Sequence, residues 1–346
     1  MHMHNIGLVG MGYWGPNIAK SFLSTNRAVL RWLCDSNQAH LETIASRYPT
    51  ARLTNHLEEM LADPDLDAVV VATPTATHYS IAQQVLVAKK HLLVEKPLTT
   101  STQEIRHLIQ LSRQVGKCLM VGHIFSYNAG ICALKEIIQR GELGQIYYLS
   151  MERTNLGPVR TDVNALWDLA THDISIMVEL LNDLPMEVTA LGMSYLNPSI
   201  EDVVFATFAF KNKMIVNIHA SWLEPKKVRK MVVVGDQKMA VWDDLDLTNP
   251  IRIFNKSVQY LAPDKITGSF LEYKTMVVDG GQSSPNVTLN QPLQAECEHF
   301  LDCIESGRLP LTDGINAMKV VQSLEAATLS MQQRGAPVTI LPLEIF

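Results

Sequence analysis

Ile6-Gly7-Leu8-Val9-Gly10-Met11-Gly12-Tyr13-Trp14-Gly15 is the stretch on which the fold of this chain turns. Ile6–Val9 reads as a short buried strand, and a helical stretch runs from about Gly15 to Ser24. Between them stands G-x-G-x-x-G. In that strand-to-helix context Gly10 allows the tight turn, Gly12 lets the backbone approach a pyrophosphate, and Gly15 permits close packing of helix on strand. The helix N-terminus then offers unpaired N–H groups and a positive dipole end to the phosphates. The next strand-like run, Val29–Cys34, ends at Asp35. A carboxylate there accepts hydrogen bonds from ribose hydroxyls and repels a 2′-phosphate. The expectation is a dinucleotide site for NAD, with NADP as the alternative, built from Gly10, Gly12, Tyr13, Trp14, Gly15 and Asp35.

Outward from this motif, short β-rich runs alternate with helical stretches. Helices are expected at Asn37–Tyr48, Tyr79–Ala88 and Ser101–Val115. Strands are expected at Ala68–Thr73, His91–Val94 and Cys118–Val121. Nearly continuous apolar strands alternating with helices predict a doubly wound parallel sheet, a Rossmann domain. The pattern then changes. After a helix at about Gly130–Arg140 come strand-like runs at Ile146–Arg153, Val188–Tyr195, Val203–Phe210, Met214–Trp222, Lys230–Val234 and Ala240–Asp243. One helix, about Ala165–Leu181, interrupts them, and two more, about Leu293–Ser306 and Gly314–Arg334, close the chain. This predicts an α+β second domain on one largely antiparallel sheet. The division falls at 1–121 and 122–346, and residues 256–291, rich in Gly, Ser, Pro and Asn, read as a long surface excursion.

Composition narrows the function. The chain has 346 residues, 47 % of them apolar and 18 % charged, which suits two well-filled cores. A net charge of −6 without a dense basic run argues against a nucleic-acid partner. No apolar run reaches membrane-spanning length, and the N-terminus has no basic n-region, so a cytoplasmic protein without a membrane partner is expected. Five scattered cysteines without a CxxC pair read as reduced core thiols, and no metal site is expected. His2 and His4 read as a tag-like terminal pair rather than ligands.

Three further constellations carry chemistry. Thr73-Pro74-Thr75, with His78, follows a parallel strand at its carboxyl end, where open α/β sheets bind ligands; a plain β-to-α turn with a threonine cap is the competing reading. Glu95-Lys96-Pro97 follows another such strand. An ammonium group there can orient a hydroxyl and stabilise a developing alkoxide. Asp168 and His172 stand four residues apart on one face of an apolar helix. A carboxylate within reach of an imidazole fixes its tautomer and raises its basicity. His123, Tyr127, Asn128, Arg153, Arg160, Asn164, Trp167 and His172 are candidates to line a substrate pocket. The two arginines suit a phosphate or carboxylate, with ordinary salt bridges as the competing reading.

Taken with Val121-Gly122-His123, Gly141-Glu142-Leu143-Gly144 and the tail Phe300–Gly307, these motifs resemble the glucose–fructose oxidoreductase/inositol dehydrogenase (Gfo/Idh/MocA) family over almost the whole chain. The resemblance implies a Rossmann domain followed by a domain whose open sheet often forms an oligomer interface, here a homodimer or homotetramer. It implies nicotinamide-dependent oxidation or reduction of a sugar, nucleotide sugar or cyclitol. Lys96, Asp168 and His172 match the catalytic positions, and Thr73, Pro74, Thr75, His78, Glu95 and Lys96 join the cofactor site. A catalytically silent sugar- or cofactor-sensing regulator is the rival from another class. A reductase of dihydrodiol or biliverdin type is the rival enzyme.

Overall fold

The computed structural model describes residues 3–260 and 275–343. Two compact units divide the chain: Met1–Asn128 with Asn290–Glu325, and Ala129–Leu289 with Ala326–Phe346.

The first unit is built on six parallel strands: β1 (His4–Val9), β2 (Ala28–Cys34), β3 (Arg52–Thr54), β4 (Ala68–Val71), β5 (His91–Glu95) and β6 (Leu119–Gly122). Their order is β3-β2-β1-β4-β5-β6. All four residues of β4 are buried, as expected for a strand covered on both faces. Helices α1 (Gly15–Ser24), α2 (Gln38–Ile44), α3 (Leu57–Leu61), α4 (His78–Val87) and α5 (Thr102–Val115) make the crossovers. The strand order reverses at β1, between β2 and β4. That switch point opens a crevice at the carboxyl edge of the sheet.

The sequence expectation closed this unit at 121. The chain instead leaves it after Asn128 and comes back for 290–325. Packing explains the return. In α8 (Pro292–Ser306), Cys297, Phe300 and Leu301 join the core of Ile6, Leu8, Ile18 and Phe22, with Phe22 and Phe300 edge to face at 6.3 Å. Arg27 ties the same helix down through Asp302 and Glu305. His4 is part of this anchor and no loose terminal residue: it is buried in β1 and contacts Glu305 at 3.0 Å. His2 lies outside the described residues.

The second unit carries nine strands: β7 (Ile146–Leu156), β8 (Glu187–Met193), β9 (Val203–Ala209), β10 (Ile215–Ser221), β11 (Leu223–Gly235), β12 (Met239–Asp243), β13 (Ile251–Tyr260), β14 (Thr275–Ser283) and β15 (Val338–Thr339). Their order is β14-β13-β12-β11-β7-β10-β9-β8-β15, antiparallel except for the β7–β10 pair. Helices α6 (Ala129–Gln139) and α7 (Thr171–Leu181) belong to this unit, and α9 (Gly314–Gln332) passes from the first unit into it. Of the excursion expected over 256–291, residues 256–260 and 275–283 are corrected, because β13 and β14 pair from Ile253–Ser283 to Tyr260–Thr275 with one register shift between Phe254 and Lys256; 261–274 lie outside the described residues. The alternation of exposed and buried residues along β9 leaves Phe205 outward, opposite Leu191 and stacked on His219 at 4.3 Å. No helix among the described residues is long and apolar enough to cross a membrane, and no cluster of His, Cys, Asp and Glu among them could hold a metal.

Candidate active site

The glycine-rich turn has the form its spacing predicts. Gly10 has φ +92°, and a Cβ there would meet the Ala72 carbonyl and Thr73 N at 2.7–2.9 Å. Only glycine lets β1 and the turn after β4 come this close. Above Gly12 there is open space, so the backbone can approach a ligand. A Cβ on Gly15 would collide with the Gly10 carbonyl, so this glycine closes the turn on itself. Among the described residues no side chain caps the first turn of α1; Pro16 has no N–H and Asn17 N donates to the Trp14 carbonyl at 3.0 Å, so an anion would meet the N–H groups of the turn ahead of Pro16. Asp35 accepts hydrogen bonds from Met11 N at 2.7 Å and Asn37 N at 2.9 Å. Its carboxylate is thereby aimed over the glycine turn and retains acceptor capacity for ribose hydroxyls. These residues fit a bound NAD, with the pyrophosphate on the turn and the adenine ribose at Asp35.

The other cofactor candidates divide. Tyr13 is 93 % exposed on the turn. Thr73, Pro74 and Thr75 lie where expected, leading from β4 into a short 3₁₀ turn. His78 is corrected: it is 1 % exposed, and its ring nitrogens meet the Thr73 and Pro97 carbonyls, each at 2.8 Å. Burial lowers its proton affinity. It ties the turn after β4 to the turn after β5 from beneath, and offers nothing to a ligand.

Glu95 also takes a different part. Its carboxylate accepts from the Trp14 indole N–H at 2.5 Å and from Lys96 N at 3.2 Å, and it lies against Gly122, where a Cβ would be 3.2 Å away. It therefore clamps the glycine turn to the ends of β5 and β6. Burial pushes it up to about 7, against the opposing pull of the Trp14 bond and the Lys96 charge. Glu296 on α8, fully buried with no partner for Oε2 among the described residues, is pushed well above the usual carboxylate range by burial and by the charge of Glu95. His123 follows β6 and is buried with neither ring nitrogen bonded among the described residues. Burial and the Lys96 charge push it down to about 3, so it is a neutral imidazole. Tyr127 is another correction: its hydroxyl bonds Thr312 at 3.0 Å inside the core of the first unit. Asn128 marks the exit from that unit, its N–H donating to the Phe125 carbonyl.

In the second unit, Asp168 lies in a π-helical turn, Leu166–Ala170, that runs directly into α7. Such single-turn widenings concentrate at functional sites. Asp168 accepts from the Trp222 indole at 3.2 Å and faces Arg160 at 3.4 Å. His172 is half-buried in the first turn of α7. Asn164 donates to Glu201 at 2.7 Å and accepts from Trp167 N, and the Trp167 indole donates to Thr328 at 3.1 Å.

Neither arginine stands ready for an anion. Arg153 is 2 % exposed and holds Asp173 through two bonds, Nε–Oδ2 2.8 Å and Nη2–Oδ1 2.9 Å. Arg160 holds Asp162 at 2.6 and 2.9 Å as well as facing Asp168. Their carboxylate partners were not legible from spacing, and the salt-bridge reading is the one realised. The sequence also gave no signal for Trp222, Glu201 or Glu296, each of which acts across the fold.

Comparison with known proteins agrees with this geometry. Residues 4–123 match the pattern described as an oxidoreductase family with an NAD-binding Rossmann fold, and residues 131–241 match the GFO/IDH/MocA C-terminal domain. UDP-N-acetylglucosamine 3-dehydrogenase of Acidithiobacillus ferrooxidans is 25 % identical over 322 residues, covering 93 % of this chain and 95 % of the relative. The NAD(+)-dependent scyllo-inositol 2-dehydrogenase of Bacillus subtilis is 24 % identical, over 98 % and 97 %. Among solved structures, GenD2 from gentamicin A biosynthesis, in complex with NAD, superposes with TM-score 0.82 at 25 % identity, over 99 % and 97 % of the two chains.

Proposed function

The chain belongs to the Gfo/Idh/MocA family of NAD-binding oxidoreductases, and on that premise we propose that it transfers hydride between nicotinamide and a secondary ring alcohol of a sugar or cyclitol. Bound NAD supplies the hydride acceptor. The chain's own residues handle the oxygen and its proton. Lys96 hydrogen-bonds the reacting oxygen and steadies its developing charge. His172 accepts the hydroxyl proton and becomes an imidazolium as the alcohol carbon becomes a ketone, the hydride being what a bound NAD would take up. Asp168 orients His172 and stabilises that imidazolium, itself held by Trp222.

The observation that carries this reading is the set of residues at one edge of the six-stranded sheet. The glycine turn, Asp35 and Lys96 all stand at strand carboxyl ends, and Glu95 joins the turn to the residue before Pro97. Among substrates, a neutral ring polyol is favoured over a phosphorylated or nucleotide-linked one, because Arg153 and Arg160 already hold carboxylates. The outward pair Leu191 and Phe205, with Ile215 also exposed on β10, supports assembly through the nine-stranded sheet as a dimer or tetramer.

The test follows absorbance of reduced nicotinamide across free sugars, cyclitols, sugar phosphates and nucleotide sugars, with NAD and NADP in parallel. Saturable reduction of NAD by a neutral polyol is expected. Tight cofactor retention without turnover on any member returns the regulator reading. With a substrate in hand, His172→Ala and Lys96→Ala should each lower kcat by about 10²–10⁴-fold with NAD affinity unchanged. Full activity in either variant sinks the role given to that residue.

A further inference from the structure

At the other edge of the six-stranded sheet lies a cavity of about 280 Å³, formed wholly within the first unit. His91, which opens β5, and Cys118, which precedes β6, stand at its wall. The four steps of β5 from His91 to Glu95 put it about 13 Å along the strand from the site described above. Ile109, Leu119, Ile304 and Ile315 give the cavity apolar walls, and Leu309, 77 % exposed, stands at its mouth.

Three cations face this space: Arg113 in the last turn of α5, Lys117 just after its Gly116 cap, and Arg308 just after the Gly307 cap of α8. Two of them meet only neutral groups. Lys117 Nζ is 3.4 Å from His91 Nε2; burial together with the Lys117 charge pushes His91 down to about 4, and its Nδ1 accepts from Cys118 N at 3.1 Å, so the neutral ring carries its hydrogen on Nε2 and gives Lys117 no acceptor. Arg308 Nε donates to Ser306 Oγ at 3.1 Å. Among the described residues neither makes an ion pair. Of the nearby acids, Asp313 itself lines the cavity, and both it and Asp302 are engaged by other groups. Asp313 accepts from Asn316 N at the start of α9 and faces Arg113 and Lys319, and Asp302 holds Arg27 at 2.7 Å.

We propose that this cavity is a second ligand site, separate from the dinucleotide edge, that takes a small organic anion: a phosphate or carboxylate carried on a compact apolar body. Lys117 and Arg308 supply the charge and the fork geometry that such a head group needs. The isoleucines and Leu309 cover the body. The volume lies at the small end of ligand cavities, which suits a single ring or a short chain rather than a nucleotide.

The test uses protein saturated with NAD, so that the glycine turn is occupied, and phenyl phosphate as the probe in titration calorimetry. One saturable site is expected, with inorganic phosphate and benzyl alcohol each at least about tenfold weaker, because each lacks one half of the recognition. Lys117→Gln and Arg308→Gln, both away from the core, should each weaken phenyl phosphate about tenfold and leave NAD affinity unchanged. Absence of saturable binding overturns the proposal. So does binding that both variants keep, or equal affinity for inorganic phosphate or benzyl alcohol. None of these readouts depends on turnover, so the proposal stands or falls apart from the reaction assigned above.

Discussion

Asp173 and Glu95 are both carboxyls taken out of water, one in each unit, and the protein treats them in opposite ways. Asp173 is gripped by both nitrogens of Arg153's fork, with Arg229 adding a second positive charge. Burial pushes its carboxyl up and the guanidinium pulls it back. Glu95 is bonded by an indole N–H and one backbone N–H, with the Lys96 charge nearby and a second buried acid, Glu296, close enough to act on through space. A carboxylate with a matched cation is a fixed strut. One held mainly by neutral donors has its proton affinity raised by burial, with less charge beside it to pull it back. The second unit thus uses its buried acid to hold β7 to α7. The first uses its acid where the cofactor turn meets Lys96.

The sharpest way to break this contrast is Asp173→Asn, which leaves Arg153 buried without its counter-charge. A loss of about 3–5 kcal/mol in urea unfolding is expected. A loss under about 1 kcal/mol would mean the pair is no strut. Glu95→Gln should behave differently, and the sign follows from its raised proton affinity. The folded chain keeps a proton that the unfolded chain releases above its ordinary 4.5, up to about 7. Stability associated with Glu95 is therefore present at low pH and falls across that window by up to about 1.4 kcal/mol per pH unit. Unfolding midpoints of wild type and Glu95→Gln, similar at pH 4.5 where both side chains are neutral, should diverge as pH rises to 7.5, wild type falling below the variant, any remaining slope being shared with Glu296. Parallel pH profiles would refute the assignment. The smallest effect is expected from Trp14→Phe. Losing the indole donor removes a pull that lowers Glu95, so the midpoint of the window moves upward and stability at neutral pH drops by about 1 kcal/mol. A midpoint that stays in place would show that the indole contributes packing alone.

The cofactor turn was legible because its glycines stand between a strand and a helix that follow directly, although its contacts with Ala72, Thr73 and Glu95 come from other strands. Strand, glycines and helix follow one another, and Asp35 belongs to the next strand. The second unit's strands were legible where their alternation was clean, as in β9. They were missed in β13 and β14, where Gly, Ser and Asn disguise paired strands. His78 illustrates a different limit. Its position after β4 suggested ligand contact, yet its ring nitrogens lie against the Thr73 and Pro97 carbonyls, a placement that depends on a neighbouring strand end. For Arg153 the sequence leaves both an anion and a salt bridge open, because its partner, Asp173, lies twenty residues on in another element and nothing in the intervening residues announces the pairing.

From its residues alone, the chain determined the parallel sheet, the glycine cradle, the preference for a carboxylate at Asp35 and the positions of Lys96, Asp168 and His172. These depend on backbone conformations and side-chain types that neighbours in sequence dictate. Only tertiary structure decided that 290–325 completes the first core, that Arg153 and Arg160 hold carboxylates, that Glu95 and Glu296 share one buried region, and that Lys117 and Arg308 meet around a cavity. Burial and pairing of charge depend on which distant side chains arrive at the same place. That is fixed by packing of apolar faces such as Phe22 on Phe300, which no local pattern records.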